Sequence, residues 1–129
     1  MNGTHRFLIL KHRTDHPHFD LKLEFGDLMK SWILPSRIPG ECGVKSLAIE
    51  NNDDAFNQDV FVKAMDDRYG SGGAELWDRG YYEILFNRNE KITLNARGEL
   101  FRGRFIFIVP SWGRWTGRRM WIVIKTDEQ

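Results

Sequence analysis

His18-Phe19-Asp20-Leu21-Lys22-Leu23-Glu24-Phe25 alternates polar and apolar residues without a break. A period of two marks a strand with one buried face, because successive side chains leave a pleated backbone on opposite sides. Phe19, Leu21, Leu23 and Phe25 share one face; His18, Asp20, Lys22 and Glu24 share the other. Working outward, Phe7-Leu8-Ile9-Leu10-Lys11 is a short apolar run suited to a buried strand, and Ser31-Trp32-Ile33-Leu34-Pro35 is another, stopped by proline. Further strand signals cover Ser46 to Glu50, Ala74 to Asp78, Tyr81 to Phe86, Lys91 to Asn95, Arg102 to Val109 and Met120 to Lys125. Turn chemistry separates them at Gly26-Asp27, Gly70-Ser71-Gly72-Gly73, Asn87-Arg88-Asn89, Arg97-Gly98 and Gly113-Arg114. Many short strands at close spacing predict a mainly β fold, an antiparallel barrel or a sandwich. A single helix is expected, from Asp54 to Met65, with Phe56, Val60, Phe61, Ala64 and Met65 as its core stripe. Pro35 to Gly43 reads as a loop, with Cys42 in it a bystander.

The chain of 129 residues suits one domain, 1–129, with no linker to divide it. One Cys excludes a disulfide framework and a Cys-rich zinc site. A hydrophobic fraction of 41% excludes a disordered tail. No apolar run reaches the ~20 residues of a membrane helix, and Met1 to Arg6 carries no secretory apolar region, so a cytoplasmic protein without a membrane partner is expected. The net charge of +1 conceals a segregation along the chain. From Leu100 to Thr126 the charged residues are Arg102, Arg104, Arg114, Arg118, Arg119 and Lys125, all basic. From Glu50 to Glu90, ten acids face four bases. Such a chain can present a basic side and an acidic side, and a local basic patch attracts phosphate whatever the total charge.

All four histidines, His5, His12, His16 and His18, lie in the first eighteen residues. A hairpin through Arg13-Thr14-Asp15-His16-Pro17 would return His12 to the side of His18 and Asp20. One imidazole and one carboxylate there suit a divalent metal such as manganese or zinc. His18 is then available as a proton donor or phosphate contact. The competing reading is a polar strand face in solvent; His5 and His16 are read as bystanders.

Lys11-His12, His18 to Glu24 and Leu28-Met29-Lys30-Ser31-Trp32-Ile33-Leu34-Pro35 together resemble the 3′-phosphoesterase domain of bacterial and archaeal DNA ligase D. That family carries K-H, five residues, H-Y-D-F-R-L-E, then G-x-L-K-S-W-A-V-P. The similarity continues in order through Leu47-Ala48-Ile49, Tyr69-Gly70-Ser71-Gly72, Trp77-Asp78-Arg79-Gly80, Leu100 to Phe105 and Trp121 to Lys125. The resemblance implies a closed, mostly antiparallel β-barrel with little helix. It implies a manganese-dependent hydrolase, with zinc or cobalt as other ions for the site. Such an enzyme removes a 3′-ribonucleoside and then the 3′-phosphate in break repair by end joining, leaving a ligatable hydroxyl. By position His12 and Asp20 match metal ligands, His18 the catalytic histidine and Glu24 the acid that follows it. Lys22 stands where the family has arginine, which removes a bidentate phosphate fork. The family's third metal-ligating histidine has no counterpart in Asn51-Asn52-Asp53-Asp54-Ala55; Asp54, or Asp53, is the carboxylate expected to replace it. Arg13, Arg102, Arg104, Arg114, Arg118 and Arg119 are expected to contact the DNA backbone. Trp112 and Trp115 either stack on bases or close the barrel. The implied partners are DNA 3′ ends on a primer–template or nicked duplex, a separate DNA ligase and end-binding proteins. The alternatives are a catalytically weakened relative that binds DNA ends or a repair partner, and, last, a plain RNA-binding barrel.

Overall fold

The computed structural model describes residues 4–13, 15–51, 54–55, 74–115 and 118–126. Their strands are β1 (His5–His12), β2 (His18–Phe25), β3 (Leu28–Leu34), β4 (Lys45–Glu50), β5 (Asp54–Ala55), β6 (Ala74–Arg88), β7 (Lys91–Arg97), β8 (Arg102–Ile108) and β9 (Met120–Lys125). A 3-10 turn, Ser111–Trp115, precedes β9. Spatial order is β2-β1-β6-β7-β8-β9-β4-β3, and β3 pairs back onto β2. Every pairing in that ring is antiparallel, so eight strands close into a barrel, and the sandwich is excluded. Closure leaves the ring without the open strand edges that invite pairing with other chains. No helix among the described residues is long and apolar enough to cross a membrane.

The alternation of β2 sets the wall that carries the site. Leu21 and Leu23 are fully buried, and they face Ile9 and Phe7 on β1 and Trp32 and Lys30 on β3. These apolar residues join Leu34, Tyr82, Phe101, Phe105, Phe107, Trp121 and Val123 in one interior cluster. Leu8, Leu10 and Met29 occupy alternate positions and are also buried, at 1%, 4% and 8% exposure, yet they stand outside that cluster. The uninterrupted apolar run of β1 is thereby explained, since both its faces are covered.

Two expectations are corrected. Asp54 and Ala55 do not begin a helix; they form β5 and pair with Met29 and Leu28, taking the edge of β3 that β4 leaves before Trp32. Residues 56–65 of the expected helix lie outside the described residues. The segments on either side of Arg79-Gly80 are one strand of 15 residues, not two. Gly80 breaks nothing; it permits close packing, because a Cβ there would lie 2.5 Å from the Arg97 carbonyl oxygen and 3.0 Å from Phe7. β6 pairs with β1 from Ala74 to Tyr82 and with β7 from Tyr81 to Arg88, the latter with a register shift between Ile84 and Phe86.

Asp78 is the buried acid of this strand, 6% exposed. Its carboxylate accepts the backbone N–H groups of Glu99 (3.2 Å), Leu100 (2.9 Å) and Phe101 (2.7 Å). Three aligned donors offset the cost of burying the charge and fasten the β7–β8 turn to β6. Trp77-Asp78-Arg79-Gly80 is therefore a structural device of the barrel wall.

Candidate metal and phosphate site

The β1–β2 hairpin pairs His12 directly with His18, and Leu10 with Asp20. Directly opposed residues of an antiparallel pair bring their Cβ atoms within ~5 Å, so hairpin register alone gathers the two imidazoles. Their rings stack, with centroids 4.7 Å apart and planes 9° from parallel. Asp20, two residues along the same face, reaches both: Oδ2 lies 2.6 Å from His12 Nε2, and Oδ1 lies 3.8 Å from His18 Nε2. One ligand atom from each of His12, His18 and Asp20 falls within 4.8 Å of the others.

Two details set the electronic character of the cluster. His18 Nδ1 donates to the His16 carbonyl oxygen at 2.9 Å, since a carbonyl can only accept. That bond fixes the ring and leaves Nε2 as the atom that holds a lone pair in the neutral form. His16, read as a bystander, thus orients the catalytic candidate through its backbone. The signal was Pro17, which holds the residue before it extended. His12 Nε2 is enclosed and has no hydrogen-bond partner, although the Asp20 carboxylate is 2.6 Å away. The two atoms are close without the alignment of a hydrogen bond, so both point at common space, as two ligands of one cation do. The His12 nitrogen and the Asp20 carboxylate form a mixed nitrogen–oxygen donor set that fits manganese, zinc or cobalt, with His18 Nε2 close beside it.

The other members of the β2 face diverge. Lys22 lies between Leu8 and Ser31, two residues from Asp20, with no ion-pair partner among the described residues. Glu24 is six residues from His18, roughly 20 Å at ~3.3 Å per residue, so the strand does not bring it into the cluster. It is gripped by Arg6, whose Nε and Nη2 donate to its two oxygens at 3.0 and 3.1 Å and whose backbone N–H adds a third bond at 3.0 Å. The Arg6 hydrogen bonds hold the Glu24 carboxyl below its usual range, against the opposing effect of burial. Tyr82, whose phenol is pushed up by burial, donates to the Glu24 carbonyl oxygen. Neither Arg6 nor Tyr82 was singled out in the sequence, because their partner lies on another strand. Asp54 stands opposite Met29, which stands opposite Glu24, so its backbone shares the register of Glu24 and not that of Asp20. Asp53 lies outside the described residues.

The basic C-terminal stretch is not a bare patch. Arg114 forks onto Glu90, and Arg119 onto Glu50, so acids from the middle of the chain interlock with these bases. At these two pairs the fold brings together opposite charges that are far apart in sequence. Arg118 donates to Asn51 Oδ1, Arg102 to the Gly98 carbonyl oxygen and Arg13 to Glu75. Arg104 is half-buried, with its Nε enclosed and unpartnered. Trp112 is 52% exposed, which removes it from the core; the Trp115 side chain lies outside the description.

The Mycobacterium tuberculosis multifunctional non-homologous end joining DNA repair protein LigD is 29% identical over 119 residues, 88% of this chain and 16% of its own length. The multifunctional non-homologous end joining protein LigD of Mycolicibacterium smegmatis is 27% identical over 127 residues, 89% of this chain and 17% of its own. The Pseudomonas aeruginosa protein of that name is 29% identical over 112 residues, 82% of this chain and 13% of its own. The chain thus spans about a sixth of these relatives or less. A family model described as the DNA ligase D 3′-phosphoesterase domain matches residues 10–109, which include β2, Asp78 and all three members of the cluster. With more than half its length in that match, the chain belongs to the DNA ligase D 3′-phosphoesterase domain family.

Proposed function

We propose that this chain is a metal-dependent phosphoesterase that processes DNA 3′ ends during break repair by end joining, removing a 3′-phosphate or 3′-ribonucleoside to leave a hydroxyl. The observation that carries the proposal is the convergence of His12, His18 and Asp20 on the outer face of a barrel of this family. Manganese is the first choice of ion, with zinc and cobalt next. His12 and Asp20 would hold it, and a divalent ion there supplies charge to polarise a phosphoryl oxygen.

The chain's own residues do the rest. His18 exchanges its proton at Nε2, because Nδ1–H is committed to the His16 carbonyl. Lys22, roughly 7 Å along the strand from Asp20, offsets charge that develops on the phosphoryl group, as a point charge and not as a fork. Glu24, tied to Arg6, acts at a distance by holding the far end of the same strand. Whether Asp54 or Asp53 adds a ligand is read by comparing each alanine variant with Asp20→Ala for metal affinity. The register of β5 predicts a smaller loss for Asp54→Ala. DNA 3′ ends are the proposed substrate, a DNA ligase and end-binding proteins the proposed partners, and the cytoplasm the proposed location.

The experiment is release of phosphate from a primer–template ending in 3′-phosphate, with manganese, zinc or cobalt, beside His18→Ala. Loss of general acid–base assistance is expected to slow release by roughly 10²–10⁴-fold. A wild-type protein that releases nothing with any of the three ions would refute the catalytic reading. The absence of a histidine between Asn51 and Gln58 favours a second reading, a protein that binds DNA ends without hydrolysis. Salt-sensitive DNA affinity in an inactive wild type would support it.

A further inference from the structure

A cavity of about 290 Å³ opens near the β6–β7 hairpin, lined by Lys30, Asn87, Arg88, Asn89, Ile92, Arg119 and Trp121. Among the described lining residues three are cations and none is an acid. Its wall is fixed in advance. Arg119 donates through Nε and Nη2 to Glu50 and through Nη1 to the backbone and side-chain oxygens of Asn89. Its guanidinium lies 5.2 Å over the Trp121 ring, and Trp121 Nε1 donates to the same Glu50 carboxylate at 2.7 Å. Glu50 is thereby paired with Arg119 and Trp121. Lys30 Nζ stands 5.3 Å from the Phe25 ring, and Arg88 Cζ stands 6.0 Å from the Phe86 ring. Each of these two cations therefore rests beside an aromatic ring, which limits its wandering.

The chemistry of the lining selects the ligand. Trp121 is 1% exposed and Ile92 2%, so no aromatic face is offered for a base to stack on. The volume lies at or below the ~300–1,000 Å³ of pockets for drug-sized organic molecules. A compact, multiply charged oxyanion satisfies both limits. Position then narrows its source. Lys30 pairs with Leu23 and shares the interior face of Leu23 and Trp32, at the end of the barrel, whereas His18 and Asp20 share the outer face; along β2 alone the separation is at least about 17 Å, five residues at ~3.3 Å each. Bases of one DNA strand rise ~3.4 Å each, so a backbone whose 3′ end lies at the histidine cluster and which crosses the barrel rim reaches the cavity about five or more nucleotides back.

We infer that the Lys30–Arg88–Arg119 cavity is a second phosphate site, which grips the DNA backbone upstream of the end being processed. The inference rests on the DNA-end reading above. Neither Lys30 nor Arg88 belongs to the C-terminal arginine series that the sequence marked for DNA, and the hairpin that carries Arg88 comes from the acidic middle of the chain.

The test is fluorescence anisotropy of a labelled duplex across a salt series, comparing wild type with Lys30→Gln/Arg88→Gln. Arg79→Gln/Arg97→Gln, which removes the same charge from exposed sites on β6 and β7, serves as control. Loss of two phosphate contacts should reduce the slope of log affinity against log salt by about 1.8 and weaken binding roughly tenfold at moderate salt. The control should keep the wild-type slope. Arg88→Gln alone, at an exposed hairpin position, should lose about half as much and guards against misfolding of the double variant. Equal slopes in wild type and Lys30→Gln/Arg88→Gln overturn the inference. So does a Trp121 indole N–H resonance that shifts with inorganic phosphate but not with duplex, which would assign the cavity to a small anion. Phosphate release that persists with equal slopes overturns this site alone; lost release with a persisting slope difference overturns the catalytic reading alone.

Discussion

Asp20 serves two imidazoles from one carboxylate, and the consequence is a graded set of expectations for single residues. Asp20→Ala and His12→Ala should each weaken manganese binding by about 10–100-fold or more, as loss of a ligand or its close support does. Titration by calorimetry reads this directly. Glu24 belongs to a different account, that of stability. Its carboxyl is lowered in the folded state by Arg6, so the stability it contributes is fully present above the ordinary carboxyl value of 4.5 and is lost as pH falls through the lower folded value. Glu24→Gln should cost about 1 kcal/mol at neutral pH and flatten the acid limb of the stability curve below about pH 4.5. Urea unfolding at neutral and acid pH checks both. That Glu24 shares a face with His18 was legible from alternation. That Arg6 would claim it was not, because the register between strands eighteen residues apart decides it.

At the scale of elements, β2 was readable because a single period fixes which side chains face the core. The length of β6 was not. Glycine in a sequence signals a turn or a close approach equally well, and only the packing of Arg97 and Phe7 against Gly80 decides between them. Gly80→Ala should therefore destabilise the barrel by about 2 kcal/mol or more, through overpacking against backbone. Asp78→Asn keeps the size of the side chain but replaces an ionised acceptor of three N–H groups with an amide. It should cost about 2–4 kcal/mol by urea denaturation, with metal affinity at the hairpin unchanged. A large loss of metal affinity with intact stability would move Asp78 from the wall into the site.

The whole molecule is a ring whose closing contacts are remote in sequence: His5 meets Tyr82, and Lys45 meets Ile124. Such topology delays reward until long loops are closed, so folding in milliseconds to seconds is expected. Tryptophan fluorescence and far-UV circular dichroism should follow one transition, since the interior cluster draws on almost every strand. The same closure explains the cancelled charge. Glu50–Arg119 and Glu90–Arg114 join segments that read as opposite blocks along the chain. Net charge was uninformative about partners, and charge order along the sequence was only partly informative. What located the cations of the proposed phosphate site was the fold that gathers Lys30, Arg88 and Arg119 at one opening.

The central claim is that the His12–His18–Asp20 cluster is a metal site that performs phosphoester chemistry at DNA 3′ ends. Phosphate release from a 3′-phosphate primer–template, measured as manganese is titrated into wild type and Asp20→Ala, tests it most directly. The account predicts release that rises with occupancy of one site in the wild type and is absent or shifted to far higher manganese in the variant. Release that is independent of manganese, or identical in the two proteins across the titration, would contradict it.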